Sequence, residues 1–429
     1  MEVLPIPSVQ LDALCALNPE RYPFLLESVN PNKNNRYSIL FANPLKKIVL
    51  NDLDGFDFLG ELESQIPNVK VKSDLPFTGG WFVYLSYELI GQIEPVLKTH
   101  CHSGDQPIAI AVKIPTAIVI DHTTKQTFLL DESNDRQRIE QVLLDIKHLD
   151  DVPITQFLGT LSNEDELKFL SGVRTTQAFI KAGDVFQVNL SRQWRYHLSD
   201  EVSSAQIYRA LKQTNPAPFS ALAQFDNFSI ISSSPERLFS VNGNQVETRP
   251  IAGTHPRGQG KADEVLKQQL INHPKEQAEH IMLLDLERND LGRVCEYGTV
   301  EVNEIMSLET YPYVHHIVSN IKGKLKPGIT IKHLVRALFP GGTITGCPKV
   351  RCMQIISQLE QAPRQAYTGS IGYVSSNGKM DFNILIRTIS KQGKVLTLRA
   401  GAGIVFDSIA ERELEETKHK AEGLLKIFN

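Results

Sequence analysis

Strand-like segments in this chain succeed one another without the strand–helix–strand rhythm that a parallel sheet requires, and this limits its fold more than any other feature. In the first third, residues 37–42, 47–50, 80–89, 108–120 and 126–130 are rich in β-branched and aromatic residues. Several are bounded by turn formers such as Asn43-Pro44, Asn51-Asp52 and Asp121-His122. Strands are expected again at 228–233, 367–374, 383–389 and 394–400. Apolar residues recur at helical spacing over 137–149, 204–212, 275–287, 331–338, 348–359 and 410–427. Asn163 is placed to cap a further helix of about five turns, with Leu167, Leu170, Val173, Phe179 and Ile180 on its apolar stripe and Gly183 at its stop. Runs of strands between helices predict an α+β fold with large, mostly antiparallel sheets. Residues 150–162, with Asp150, Asp151, Pro153 and Gly159, are the best linker candidate between a region 1–150 and a region 163–429.

Charge and cysteine usage remove several function classes. The 45 basic and 49 acidic residues leave a net charge of -4, which gives no field for nucleic acid and no polybasic membrane patch. No apolar run approaches the ~20 residues of a transmembrane helix. The five cysteines are irregularly spaced with no CxxC, which argues against a disulfide framework and a zinc site. The first residues are acidic and interrupted by Pro5, unlike a secretory signal, so the cytoplasm is the expected compartment. Neither GxGxxG nor a Walker loop occurs.

Two expected helices each carry a carboxylate pair, Glu276 with Glu279 and Glu413 with Glu416. Residues three apart share a helix face, so each pair points one way. If the helices meet, four carboxylates converge and repel unless a hard divalent cation sits among them; Mg2+ suits such oxygen ligands. On spacing alone a solvated face is the simpler account, with Lys420 forming a surface ion pair to Glu416. Glu236 stands at a strand's end after Ser234-Pro235. Gly253 and Thr254 offer close backbone approach and a hydroxyl, though a plain turn explains them as well. The loop 339–349 holds three glycines, Thr343 and Thr345, with Pro348 suited to the first turn of the next helix; it can present donors to an anion or simply start that helix. Gly401 and Gly403 follow a strand and leave room for a carboxylate against the backbone. Arg387 lies in an expected apolar strand, where a guanidinium either pairs or fixes a planar anion. His316 is a candidate proton shuttle, although a histidine in an apolar stretch is more often structural.

The order of these motifs resembles the chorismate-binding enzymes. The match runs from Gly183-Asp-Val-Phe-Gln-Val188 through Ser234-Pro-Glu236, Pro250-Ile-Ala-Gly-Thr254, Glu276-x-x-Glu279, Asp285-x-x-x-Asn289-Asp290, His316, the Thr343 loop and Gly401-Ala-Gly403 to Glu413-x-x-Glu416. That family includes anthranilate, aminodeoxychorismate, isochorismate and salicylate synthases. The resemblance implies a sandwich of large, mostly antiparallel sheets with helices packed outside, region 1–150 belonging to the same sheet architecture. It implies that Glu279 and Glu416 hold Mg2+ directly, with Glu276 and Glu413 supporting through water. The metal, backbone near Gly401 and Gly403, and Lys420 would bind the ring carboxylate of chorismate. Tyr367 and Arg387 would bind the enolpyruvyl carboxylate. Glu236 would protonate the departing C4 hydroxyl, and Thr254, His316 and Thr343 would line the ring pocket. Isochorismate-forming members resemble one another in having a Lys base where this chain has Gln187, and a Gln suits ammonia, already a nucleophile.

Amination of chorismate to 4-amino-4-deoxychorismate is therefore expected, on the likeness of segments 79–88, 217–221 and 340–346 to that branch. Anthranilate formation is the alternative, because Ala252 stands where some aminodeoxychorismate synthases carry a nucleophilic Lys. Residues 25–28 and 36–38 also resemble a tryptophan-binding element, or equally an apolar strand with polar ends. A non-catalytic chorismate-binding subunit is the third reading. The chain has no Gly-x-Cys-x-Gly elbow, so a separate glutamine amidotransferase subunit is expected to supply ammonia.

Overall fold

The computed structural model describes residues 1–29, 35–67, 71–153, 156–258, 260–311 and 314–428, with only the backbone of 254–256, 261, 275 and 314. Among these residues two large antiparallel sheets carry the fold. The 12-stranded sheet runs Glu2–Ile6, Gln126–Asp131, Thr116–Asp121, Tyr37–Ala42, Phe24–Glu27, Phe219–Gln224, Ser229–Ser234, Thr388–Gln392, Val395–Ile404, Gln187–Leu198 and Gly346–Cys347, with Gly159–Asn163 also paired to Gln187–Leu198. The 10-stranded sheet runs Ile251–Pro256, Val314–Lys324, Gln245–Arg249, Arg237–Asn242, Met380–Asn383, Ser370–Ser375, Gly80–Leu85, Ala109–Ile114 and Lys47–Leu50, with Glu301–Thr310 on Val314–Lys324. Strands from the first 131 residues enter both sheets.

The sheets pack face to face. Phe24, Phe41, Leu130 and Ile230 of the larger meet Phe82, Tyr84, Val112 and Tyr373 of the smaller, and the Phe24 and Phe82 rings stack at 4.0 Å. Strand Gly80–Leu85 shows why its sequence is apolar without alternation. Phe82 and Tyr84 face the other sheet, whereas Trp81, Val83 and Leu85 face helices, so both sides are buried. Helices Phe58–Ser64, Pro274–Val294 and Ile331–Leu338 cover that outer side through Phe58, Leu62, Leu284, Leu291, Leu334 and Val335. Helices Leu11–Leu17, Arg136–Lys147 and Ser204–Thr214 cover the outer side of the larger sheet through Leu14, Val142, Ile207 and Leu211. Each such buried Leu or Phe contributes about 1.5–3 kcal/mol. The Ser204–Thr214 helix is closed at its start by a reciprocal Ser203–Gln206 capping box.

Several sequence expectations shift. The helix expected from Asn163 begins at Glu166 and is capped by Asp165, whose Oδ1 accepts from Leu167 N at 2.9 Å, because Asn163 ends a strand. The linker candidate 150–162 thus ends in sheet, although 154 and 155 lie outside the described residues. The expected strand 108–120 is two strands separated at Pro115, which has no amide to donate. The expected strand 80–89 stops at Leu85, and Tyr87–Leu89 is a 3-10 turn. The expected strand 383–389 is an irregular crossing between Met380–Asn383 of one sheet and Thr388–Gln392 of the other. A second crossing joins Ser229–Ser234 to Arg237–Asn242. Glu236 lies on this second crossing and Arg387 on the first, where Ile384 N donates to Glu236 O at 3.0 Å. No helix among the described residues is long and apolar enough to cross a membrane.

Candidate active site

The two glutamate-bearing helices come within electrostatic reach of each other, since the charge of Glu416 acts on Glu279. Pro274–Val294 starts at Pro274, with its fixed φ in the first turn, and Ala410–Leu425 lies beyond strand Val395–Ile404. Burial raises the pKa of the Glu279 carboxyl, the charges of Glu276 and Glu416 raise it further, and the Gln187 amide and Lys420 counter them. Gln187 Nε2 donates to Glu279 Oε1 at 3.0 Å. Lys420 Nζ reaches Glu416 Oε1 at 2.6 Å and donates to Gly401 O at 3.0 Å. Glu413 is buried one turn before Glu416 on the same helix.

Three glycines leave room for the side chains gathered here. Gly253 has φ +68, and a Cβ there would come within 2.8 Å of Glu276 Oε2. A Cβ on Gly401 would lie 2.6 Å from both Asn189 Oδ1 and Tyr367 Oη. On Gly403 it would lie 2.3 Å from Gln187 Nε2 and 3.4 Å from Glu279 Oε1. Gly403→Ala is therefore expected to push Gln187 off Glu279 and lower kcat/KM by about tenfold to a hundredfold, with folding intact by circular dichroism.

A divalent cation fits the chemistry of this donor set. The charges of Glu276 and Glu416, from two helices, act on Glu279, and one lysine, itself paired to Glu416, offsets them. Among the described residues, however, no three His, Cys, Asp or Glu side chains are drawn close enough to ligate one ion.

Glu236 is 4% exposed, and burial pushes its pKa up to about 7. The nearby Thr343 hydroxyl, the Ile251 amide and Lys420 temper the rise. Neither Glu236 Oε1 nor Thr343 Oγ1 closes a hydrogen bond, and Gln187 Oε1 and Asn189 Oδ1 are likewise buried without partners. Buried oxygens left this way cost about 1–3 kcal/mol each, a cost that a ligand bearing donors or a proton removes.

Arg387 has φ +51 at the sheet crossing, which corrects the strand expected there. Its half-buried guanidinium makes no side-chain hydrogen bond or ion pair among the described residues, and burial lowers its pKa. His316 lies within its field. Burial, then the Arg387 charge, bring its imidazole down to about 3. It is thus neutral near pH 7, with one ring nitrogen able to accept a proton. Thr254 pairs with His316 through the backbone, but its side chain lies outside the described residues. Tyr367 is buried, its hydroxyl pushed up to about 12 by burial.

Sequence reasoning passed over three members of this neighbourhood. Asn189 shares a strand face with Gln187, two residues away, a period-2 signal in residues 187–198. Glu287 is a buried carboxyl on the Pro274–Val294 helix, and Glu360 a buried one behind Asn189. A separate cleft of about 610 Å³ is lined by Trp194, Tyr196, Lys418, His419 and Phe428 and includes none of the site residues named above.

Fold and site define a class. The family model for chorismate binding enzymes matches residues 22–426, and the chain belongs to that family. Anthranilate synthase component 1 of Lactococcus lactis is 37% identical over 429 residues, covering 94% of each chain. Aminodeoxychorismate synthase component 1 of Bacillus subtilis is 41% identical over 359 residues, 80% of this chain and 76% of that one. The crystal structure of anthranilate synthase component I from Streptococcus pneumoniae superposes with a TM-score of 0.80 at 32% identity, covering 92% of this chain and 93% of that one.

Proposed function

We propose that the chain aminates chorismate with ammonia to give 4-amino-4-deoxychorismate, using Mg2+ and ammonia from a separate glutamine amidotransferase subunit. The observation that carries this reading is Glu236, a buried carboxyl whose pKa near 7 lets it hold a proton at working pH. Hydroxide leaves poorly, so the C4 hydroxyl must receive that proton and depart as water. Gln187, hydrogen-bonded to Glu279, cannot act as a base toward water, but its free Oε1 can accept from ammonia. The unpaired guanidinium of Arg387 suits one substrate carboxylate, and the Tyr367 hydroxyl stands beside Gly401. Glu279 and Glu416, with Glu276 and Glu413 behind them, would hold the metal, which supplies positive charge for the other carboxylate.

A second reading has support of its own. Ala252 offers no nucleophile for covalent attack on the ring, and relatives include enzymes named as anthranilate synthases. Incubation with chorismate, Mg2+ and an ammonium salt separates the two. A product that a lyase converts to 4-aminobenzoate supports the first reading, and fluorescent anthranilate with equimolar pyruvate replaces it by the second. Turnover is expected to vanish on dialysis against EDTA and return with added Mg2+, as read by chorismate consumption.

A further inference from the structure

We propose that Asn189 is a nucleophile-binding residue: its side-chain oxygen and that of Gln187 accept hydrogen bonds from one ammonia molecule. This rests on the reading of the chain as an ammonia-using enzyme and adds to it the seat that ammonia takes. Gln187 Oε1 and Asn189 Oδ1 are both buried without a hydrogen-bond partner. The two residues lie two apart on strand Gln187–Leu198, so both side chains project from one sheet face. Ser191 is next on that face, and its hydroxyl is already committed. It donates to Glu360 Oε1 at 2.8 Å and accepts from Arg399 Nε at 3.1 Å. Among these three residues, side-chain oxygens without a partner remain at 187 and 189.

The neighbouring strand is bare on this face. Asn189 pairs with Gly403 and Ser191 with Gly401, while Ala402 between them turns its methyl to the other face, among Leu190 and Leu414. The Gln187 amide lies over Gly403 and Asn189 Oδ1 over Gly401, with Gln187 Nε2 at 2.3 Å and Asn189 Oδ1 at 2.6 Å from where a Cβ would stand. Residues two apart on a strand are about 6.6 Å apart. One nitrogen that donates two hydrogen bonds of about 3 Å spans roughly 5–6 Å between its acceptors. The two amides thus stand one small donor apart. The Tyr367 hydroxyl is 2.6 Å from the same Gly401 position, so a third polar group borders the gap.

Both residues are held in place. Gln187 Nε2 donates to Glu279 Oε1 at 3.0 Å, which turns Gln187 Oε1 away from that carboxylate. Asn189 is anchored through its backbone: its N donates to Thr345 O at 2.9 Å, and its O accepts from Arg364 Nη2 at 2.8 Å. Amide oxygens suit this ligand. They accept from N–H, yet unlike a carboxylate or an imidazole they take no proton from it near pH 7 and add no charge that would hold ammonium in preference to ammonia. With two N–H bonds held, the lone pair of the nitrogen is left directed away from both oxygens, available to the ring.

The test is Asn189→Leu, which keeps the branching of the side chain and removes the acceptor. Initial rates of chorismate consumption are measured at one pH with Mg2+, varying the ammonium salt at saturating chorismate and chorismate at saturating ammonium. The KM for ammonia should rise by about three- to tenfold, the loss of one neutral hydrogen bond, with the KM for chorismate unchanged. Asn189→Ser keeps a shorter acceptor, so its KM for ammonia should rise by less; it also reports if Asn189→Leu does not fold. A merely structural prop would lower kcat and leave the KM for ammonia at the parent's value, which overturns the inference. So does a KM for chorismate that rises as much as that for ammonia, since Asn189 would then be a contact of the diacid. If the parent consumes chorismate equally fast with and without ammonium, the ammonia reading itself fails. If the parent depends on ammonia and the folded variants share its KM for ammonia, this inference alone fails.

Discussion

Glu236→Gln should lower kcat for ammonia-dependent turnover of chorismate by about 10²- to 10⁴-fold, with little change in KM. The substitution keeps volume and the capacity to hydrogen-bond, so it removes the transferable proton and little else. The parent carboxyl is buried, its pKa stands near 7, and its Oε1 awaits a partner. A general acid works while protonated, so at constant free ammonia the parent's kcat should fall as pH rises through about 7. The variant, having no proton to lose, should show a residual rate without that limb. Equal rates for parent and variant across this range would remove Glu236 from the chemistry. Glu236→Asp is expected to fall between them, because a shorter acid keeps its proton but sits farther from the leaving oxygen.

Much of this site was legible in the sequence because its motifs are local. The Glu276–Glu279 and Glu413–Glu416 pairs share a helix face by their three-residue spacing, though only the order of motifs around them sets them apart from a solvated face, and residues 331–338 read as a helix from end to end. What spacing cannot reveal is which side chains lose water. Arg387 follows an apolar run that looks like strand, yet the chain there changes sheets and adopts a positive φ. Strand Gln187–Leu198 escaped notice although Val188, Leu190, Trp194, Tyr196 and Leu198 alternate, because Arg192 occupies an inward place in that pattern. Its guanidinium is 1% exposed in the fold and lies 4.9 Å over Trp194, so a charged residue is buried where composition argues for surface. Glu287 and Glu360 were invisible for the same reason. A glutamate on an amphipathic helix is ordinarily solvated, and only packing against distant strands makes these two buried.

Glu360→Ala should destabilise the fold by about 3–5 kcal/mol, read as a lower urea midpoint at neutral pH. Glu360 is 3% exposed and holds together the floor beneath the site. Its Oε1 accepts from Ser191 N at 2.9 Å, Ser191 Oγ at 2.8 Å and Arg364 Nη2 at 2.6 Å, and its Oε2 from Arg364 Nε and Arg399 Nη2, each at 3.0 Å. Arg364 in turn donates to Asn189 O at 2.8 Å and lies 5.4 Å over the Tyr367 ring. Removing the carboxylate leaves two guanidiniums buried with no anion between them, the costly way to break such a network. The pH dependence has a definite sign. Burial raises the Glu360 pKa, but the Arg364 and Arg399 charges and the hydrogen bonds outweigh it, and the folded value falls from 4.5 to about 2. A carboxyl depressed on folding stabilises above its unfolded pKa, and that contribution fades as pH falls toward the folded value. The gap between parent and variant midpoints should therefore be full at neutral pH and narrow as pH drops from about 4.5 toward 2. A gap that stays constant through that range would show that the lost stability is packing and not charge. Because Arg364 also buttresses Asn189 and Tyr367, the folded fraction of the variant should in addition bind chorismate more weakly at neutral pH.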